Sequence, residues 1–204
     1  MGETNRALNE TAVARDPIAQ FAQWYDEACA VEKPLPHAAA LATSTADGQP
    51  SVRMVLLKGF DTQGFVFFSN YLSRKGRELE ANDRASLLFH WGTLERQVRI
   101  EGRVTKVSAR ESDDYFRTRP RGSQLSARAS PQSEVVPDRA VLEARYAAAA
   151  QEFEGEVERP AHLGGYRLVP TAIEFWQGRA DRLHDRILYR RVADGRWRIE
   201  RLAP

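Results

Sequence analysis

The chain has 204 residues, 42% hydrophobic and 28% charged, which suits one soluble globular domain with no linker-like break. Lys and Arg number 30 against 28 Asp and Glu, a net charge of +2. That balance argues against a nucleic-acid partner, which would need a basic excess or stripe. No apolar run approaches membrane-spanning length, and the start of the chain lacks the apolar core of a signal peptide. The single cysteine, Cys29, excludes an internal disulfide, fits a reducing cytosol and reads as a buried structural thiol.

Residues 1–15 are polar and aperiodic and read as a mobile arm, leaving 16–204 as the folded domain. Asp16-Pro17 opens a helix, with a capping side chain followed by proline at the first helical position. Ile18, Phe21, Ala22, Tyr25, Ala28 and Cys29 then recur at helical spacing, and Lys33-Pro34 ends the helix. A strand is expected over 38–45, with Asp47-Gly48 turning it back into a second strand over 51–60. Asp61 to Gly64 makes another turn, and 65–69 another strand. Residues 73–82 read as a helix, and 85–91 and 97–107 as longer strands. Strands joined by tight turns predict an antiparallel sheet or barrel, mainly β with peripheral helices.

Ser108 to Glu111 is a capping-box pattern that opens a helix running to about Pro120. Residues 121–137, rich in Ser, Gln and Arg, read as loop or short helix, and Asp138 caps a further helix. The remaining strands are expected over 166–169, 173–177, 183–191 and 197–202, with Asp194-Gly195 turning the last hairpin.

Four segments carry candidate chemistry. Ser73-Arg74-Lys75-Gly76-Arg77 puts three cations at a helix N-terminus, where the macrodipole favours acids instead. A bound anion, such as a phosphate, would resolve the conflict; a solvated basic turn is the plain alternative. Tyr115 and Arg119 lie four apart on one helix face, with Ser123 just beyond, and these groups suit a second phosphate. A helix C-terminus that simply welcomes cations is the alternative there. Arg53 and Lys58 bracket an apolar strand and reach either a pocket or a rim. Finally, Arg182, His184 and Arg186 alternate. In extended chain they share one face, where two cations and an imidazole call for an anionic or electron-rich partner. A solvated strand edge is the alternative. Gln97, Gln132 and Ser133 offer amide and hydroxyl groups suited to a heterocycle edge, and are equally common as ordinary turn residues. The four scattered histidines and one cysteine give no metal-ligand spacing. No nucleophile elbow, phosphate loop or dinucleotide glycine fingerprint occurs.

Taken together, RMVLLK from Arg53, SRKGRELEAN from Ser73, LERQVRIEG from Leu94, YFRTRPRGSQ from Tyr115, PQS ending at Ser133, GGYR from Gly164 and EFWQGRADRLHDRILY from Glu174 resemble the pyridoxamine 5'-phosphate oxidase family. The resemblance spans about 16–204, and the final WRIERLAP is similar to the family's C-terminus. It implies a split β-barrel of Greek-key-like antiparallel strands, acting as a homodimer with flavin mononucleotide (FMN) at the subunit interface. The segment from about 160 to 204 would serve dimerisation and substrate binding. The implied FMN contacts are Arg53, Met54, Val55, Leu56, Leu57, Lys58, Phe68, Ser69, Arg74, Lys75, Gln97, Gln132, Ser133, Trp176 and Arg186. The implied substrate contacts are Lys58, Tyr115, Arg119, Ser123, Arg182 and His184, the last two pressing the substrate ring on the flavin as catalytic residues.

The implied reaction is oxidation of pyridoxamine or pyridoxine 5'-phosphate to pyridoxal 5'-phosphate, with oxygen as acceptor and hydrogen peroxide as product. The rivals are a related flavin oxidase of the phenazine-biosynthesis type and a non-catalytic flavin or pyridoxal phosphate carrier. The chain departs from the family at Phe68-Ser69, where a Tyr-Thr pair is usual, and at Arg128 and Leu163, where tryptophans are common. The basic-aromatic segment that often covers the substrate is absent from 1–15.

Overall fold

The structure is a computed structural model that describes residues 7–204. Helix α1 (Pro17–Val31) begins where expected, with the Asp16 carboxylate accepting from the Ile18 amide. Its buried face is Phe21, Trp24 and Ala28, and Cys29 is half-buried and free. Five strands follow, interrupted by one helix: β1 (Ala38–Ser44), β2 (Pro50–Asp61), β3 (Gly64–Asn70), α2 (Arg74–Ala81), β4 (Arg84–Trp91) and β5 (Arg96–Lys106). Helices α3 (Ala109–Thr118), α4 (Arg121–Ala129) and α5 (Arg139–Glu152) precede β6 (Leu163–Gln177), β7 (Asp185–Arg191) and β8 (Trp197–Arg201). No helix among the described residues is long and apolar enough to cross a membrane.

All strand pairs are antiparallel, in the order β3-β2-β1-β4-β5-β6-β7-β8, and β3 also pairs with β6. That last pairing closes six strands into a barrel, so the sheet has no free edge there. One edge of β6 pairs with β3 over Leu163 to Leu168 and with β7 over Ala172 to Gln177. The barrel is therefore split along β6, and β7 and β8 extend the sheet beyond it. Phe65, Phe67, Leu87, Phe89, Val98, Ile100 and Phe175 fill the core, and Phe21 of α1 plugs it with edge-on contacts to Phe65 and Phe89.

Two expectations are corrected. The two strands expected over 166–169 and 173–177 are one strand. Pro170 does not break it, because a bulge at Thr171 absorbs the register shift opposite Glu101 and Gly102. Gly102 is required there, since a Cβ would lie 2.0 Å from the Val169 carbonyl oxygen. The strand expected to start at Leu183 starts at Asp185. Before it runs a single 3-10 turn, Ala180–Arg182, in which Asp181 and Arg182 have φ of 55° and 60°. The segment 121–137, read as loop or short helix, does open with a short helix, the nine-residue α4.

Residues 7–15 of the expected arm lie against the end of the sheet. Leu8 is buried, its amide donates to Asp185 Oδ2 (3.1 Å), and its carbonyl accepts from Arg201 Nη2 (2.7 Å). The Tyr189 hydroxyl donates to the Ala14 carbonyl at 2.7 Å. Residues 1–6 lie outside the described part.

Candidate functional site

The expected residues gather into three groups. The first is a cavity of about 370 Å³ lined by Leu56, Lys58, Phe68, Tyr115, Thr118, Arg119, Pro120 and Ser123. Strand alternation turns Lys58 outward with Met54 and Leu56, while Val55 and Leu57 send their side chains into the barrel core. Tyr115 comes from the last turns of α3, Arg119 caps that helix, and Ser123 lies in the first turn of α4. The rings of Phe68 and Tyr115 stack at 3.6 Å, 14° from parallel. Burial raises the Tyr115 phenol's pKa, against the pull of Arg119, so the hydroxyl stays protonated at neutral pH. The cavity thus offers an ammonium, a guanidinium and two hydroxyls in one place, a donor set for a phosphate.

The second group sits at the end of the barrel. Arg53 alternates inward with Ser51 and Val55, donating from Nη1 to the Leu41 carbonyl (3.1 Å) and the Thr43 hydroxyl (2.5 Å). The buried Lys75 has Nζ 3.4 Å from Ser73 Oγ and 3.3 Å from Gln132 Oε1. Burial, then the neighbouring Arg53 charge, lower the Lys75 pKa, and Glu78 opposes them. Two close cations at a helix N-terminus suit an anion, and Ser73 and Gln132 add neutral partners. Gly76 lets this helix seat itself: a Cβ there would lie 2.1 Å from the Tyr71 carbonyl oxygen. A cavity of about 300 Å³, lined in part by Phe68, Ser69, Tyr115, Arg119 and Gln132, joins this group to the first. Ser133, next to Gln132, is exposed with a left-handed backbone, φ 75°.

The third group lies on the outer face of β5, β6 and β7. Gln97 pairs with Trp176, and Trp176 with Arg186. With Leu88, Arg99, Glu174 and Pro204 these residues line a cavity of about 310 Å³. The His184 ring lies 4.6 Å from the Trp176 ring, and its Nδ1 accepts from the Arg179 amide at 3.1 Å. Accepting there puts the proton of neutral His184 on Nε2. The alternation expected for Arg182, His184 and Arg186 is not made by a strand. Arg186 alone is on β7, His184 precedes it, and Arg182 is exposed on the turn.

Two carboxylates that sequence reasoning passed over organise these cations. Glu174 accepts from Arg186 Nε (2.7 Å) through one oxygen and from Arg99 Nη2 (2.5 Å) through the other. The hydrogen bond from Arg186 to Glu174 raises the guanidinium's pKa further. Of the Arg182, His184 and Arg186 set, Arg186 is thus neutralised within the protein. Glu78 does the same for Arg53 and Arg74. Alternation with Trp176 signals Glu174 on the cationic face, and spacing of four from Arg74 signals Glu78.

The pyridoxamine 5'-phosphate oxidase family model matches residues 25–152, and that of the pyridoxine 5'-phosphate oxidase C-terminal dimerisation region matches 164–204. Pyridoxine/pyridoxamine 5'-phosphate oxidase from Cupriavidus pinatubonensis is 62% identical, over 97% of this chain and 93% of that protein. The protein of that name from Acaryochloris marina is 56% identical, over 98% of this chain and 91% of that one. Among solved structures, PhzG from Burkholderia lata in complex with tetrahydrophenazine-1-carboxylic acid superposes with a TM-score of 0.92. It is 32% identical, with 98% of this chain and 100% of that one covered.

Proposed function

The chain belongs to the pyridoxamine 5'-phosphate oxidase family of oxidoreductases, and from that premise we propose that it oxidises pyridoxamine 5'-phosphate and pyridoxine 5'-phosphate to pyridoxal 5'-phosphate. In this reading FMN is the cofactor, oxygen the electron acceptor and hydrogen peroxide the product, and the enzyme works in the cytosol. The observation that carries it is the presence of two cationic clusters, Lys58 with Arg119 and Arg53 with Lys75, linked through a cavity that Arg119 and the Lys75 partner Gln132 both line. A phosphorylated substrate on a phosphorylated flavin needs two such cradles, and a carrier of a single ligand needs one.

Arg53, Arg74, Lys75 and Gln132 would hold the flavin phosphate, and Lys58, Tyr115, Arg119 and Ser123 the substrate phosphate. The backbone of Arg53 to Lys58, with Ser69, Gln97, Ser133, Trp176 and Arg186, would border the flavin ring system. When bound, the flavin would supply the two-electron redox chemistry at the substrate's 4'-carbon, with oxygen as the final acceptor. The protein binds, orients and excludes water. Arg182 and His184 set the angle of the reacting carbon. His184 acts through Nε2 as a hydrogen-bond donor, because the Arg179 amide occupies Nδ1.

A homodimer is part of the proposal. The Gln97, Trp176 and Arg186 cavity shares no lining residue with the two phosphate cradles. Between them runs an outer row in which Met54, Ala40, Leu88, Arg99 and Glu174 are successive strand partners, and Met54 and Val52 are 63% and 68% exposed. A second copy covering this row joins one protomer's cradles to its partner's Trp176 wall, and the match of 164–204 to a dimerisation region supports this.

The likeness to PhzG favours one rival, a related flavin oxidase of the phenazine-biosynthesis type. The test is to supply FMN to the purified protein, add pyridoxamine 5'-phosphate in air, and assay pyridoxal 5'-phosphate and peroxide. Formation of both in equal amounts is expected. A flavin spectrum without product refutes the substrate assignment and leaves the rival or the carrier; no flavin uptake refutes the whole proposal.

A further inference from the structure

Glu78 has no place among the expected cofactor or substrate contacts, yet it is the most heavily bonded carboxylate near the flavin-phosphate cradle. It is 4% exposed and ties three elements together. Oε2 accepts from the hydroxyls of Thr43 on β1 (2.5 Å) and Ser51 on β2 (2.6 Å), and from Arg53 Nη2 (3.2 Å). Oε1 accepts from Arg74 Nε (2.8 Å) one turn earlier on α2. Thr43 and Ser51 in turn accept from Arg53, so each hydroxyl relays the carboxylate's pull to the same guanidinium. Burial pushes the Glu78 carboxyl up, but the hydrogen bonds from Ser51, Thr43 and Arg74, aided by the Arg53 charge, bring it down to about 2. Glu78 is therefore ionised at any working pH. A buried carboxylate so fully paired is stable in place, whereas a partner removed leaves an uncompensated charge.

We propose that Glu78 is the positioning residue of the flavin-phosphate cradle and sets the selectivity for phosphorylated flavin over riboflavin. The inference rests on the reading of Arg53, Arg74 and Lys75 as that cradle. Three cations against one carboxylate leave a charge of two, matched to a phosphate dianion. By gripping Arg53 and Arg74 through separate oxygens, Glu78 holds both guanidiniums before any ligand arrives, so that binding does not have to order them. It acts through the arginines and needs no contact with the cofactor itself.

The experiment compares FMN and riboflavin affinities, by quenching of flavin fluorescence, in wild type, Glu78→Gln, Glu78→Asp and Lys75→Met. Wild type is expected to prefer FMN strongly. Glu78→Gln should weaken FMN binding about tenfold or more, the size of one charge-assisted hydrogen bond, and leave riboflavin affinity within about twofold. Glu78→Asp should recover part of the FMN preference. Equal loss of both ligands in Glu78→Gln would make Glu78 a merely structural residue and overturn the proposal. Tighter FMN binding would overturn it too, since that is what removal of a nearby negative charge does when nothing is being positioned. If Glu78→Gln fails to fold, the double variant Thr43→Val, Ser51→Ala decides: an unchanged FMN to riboflavin ratio refutes the inference. Lys75→Met tests the underlying reading separately. An unchanged ratio there means the phosphate binds elsewhere, whereas a ratio lost in Lys75→Met but kept in Glu78→Gln refutes the positioning role alone.

Discussion

Arg182 and Asp181 both adopt left-handed backbone conformations, with φ of 60° and 55°, at a cost of about 1–2 kcal/mol each for a non-glycine residue. Strain of this kind persists where the surroundings over-determine it. Here the surroundings are visible. Arg179 Nε is bound to Asp185 (2.7 Å), Asp185 is bound to Arg201 (2.8 Å), and the Arg179 amide holds His184. The turn is thus clamped at both ends while the Arg182 side chain stays exposed. A backbone fixed in this way, with its side chain exposed, suits a substrate-orienting role. Arg182→Leu is expected to lower turnover by about 10²-fold, the scale of a misplaced reacting group, and to leave FMN affinity unchanged. Stopped-flow turnover beside a flavin titration checks this, and wild-type turnover would remove Arg182 from the mechanism. The clustering of the cations was legible from the sequence, at a helix N-terminus and at helical spacing, but a solvated turn or a helix C-terminus explained each cluster as plainly as a phosphate did. Their counter-ions carried fainter signals. Spacing ties Glu78 to Arg74 and alternation puts Glu174 on the face of Trp176, but only pairing of β5, β6 and β7 shows that Arg99 and Arg186 flank Glu174.

Among the elements, the hairpins were the easiest to read. Asp47-Gly48 and Asp194-Gly195 carry their turns with Gly48 at φ 93° and Gly195 at φ 84°. Boundaries failed where tertiary structure overrides a local signal. Pro170 looks like a strand break, but the bulge beside it keeps β6 continuous, and that continuity lets one strand serve both barrel and extension. The pair Gly164-Gly165 shows how such a strand shapes the site. A Cβ on Gly165 would lie 2.8 Å from the Phe68 ring and 2.5 Å from Val107, and Phe68 is the platform on which Tyr115 stacks. Gly165→Ala should therefore push the ring and unsettle the substrate-phosphate hydroxyl. Overpacking predicts a loss of about 1–3 kcal/mol in stability and a raised KM for phosphorylated substrate. Gly155→Ala, with nothing within 4 Å of its Cβ, serves as the control and should change stability by less than about 0.5 kcal/mol. Thermal melts and initial rates on both variants make the comparison. A Gly165→Ala protein with unchanged KM would show that the stacked pair does not position Tyr115.

At the scale of the whole molecule, the proposed dimer divides each site between two chains. The Lys58 and Arg119 cradle and the Trp176 wall line separate cavities, and the outer sheet face exposes Val52 and Met54. Sequence alone marked these residues as apolar strand positions, which in a monomer would point to core. Alternation decides which of them are core: Val55 and Leu57 face inward, and Val52 and Met54 face out. An apolar outer face on an otherwise closed barrel is unfavourable in water unless something covers it, and the proposed second copy would do so while completing both sites of a symmetric dimer. Val52→Glu tests this without touching a residue assigned to either ligand. In a monomer the new carboxylate would be solvated and stability should barely change. In a dimer it would meet its own symmetry mate or an apolar surface, an unpaired charge whose burial costs several kcal/mol. Sedimentation velocity is expected to show the wild type at twice the mass of the variant. FMN affinity should fall with dissociation, because Trp176 and Arg186 of the opposite protomer leave the flavin. A Val52→Glu protein that stays dimeric would exclude this face as the interface. One that is monomeric yet binds FMN normally would mean that each chain holds a complete site, and that the two cavities are not halves of one.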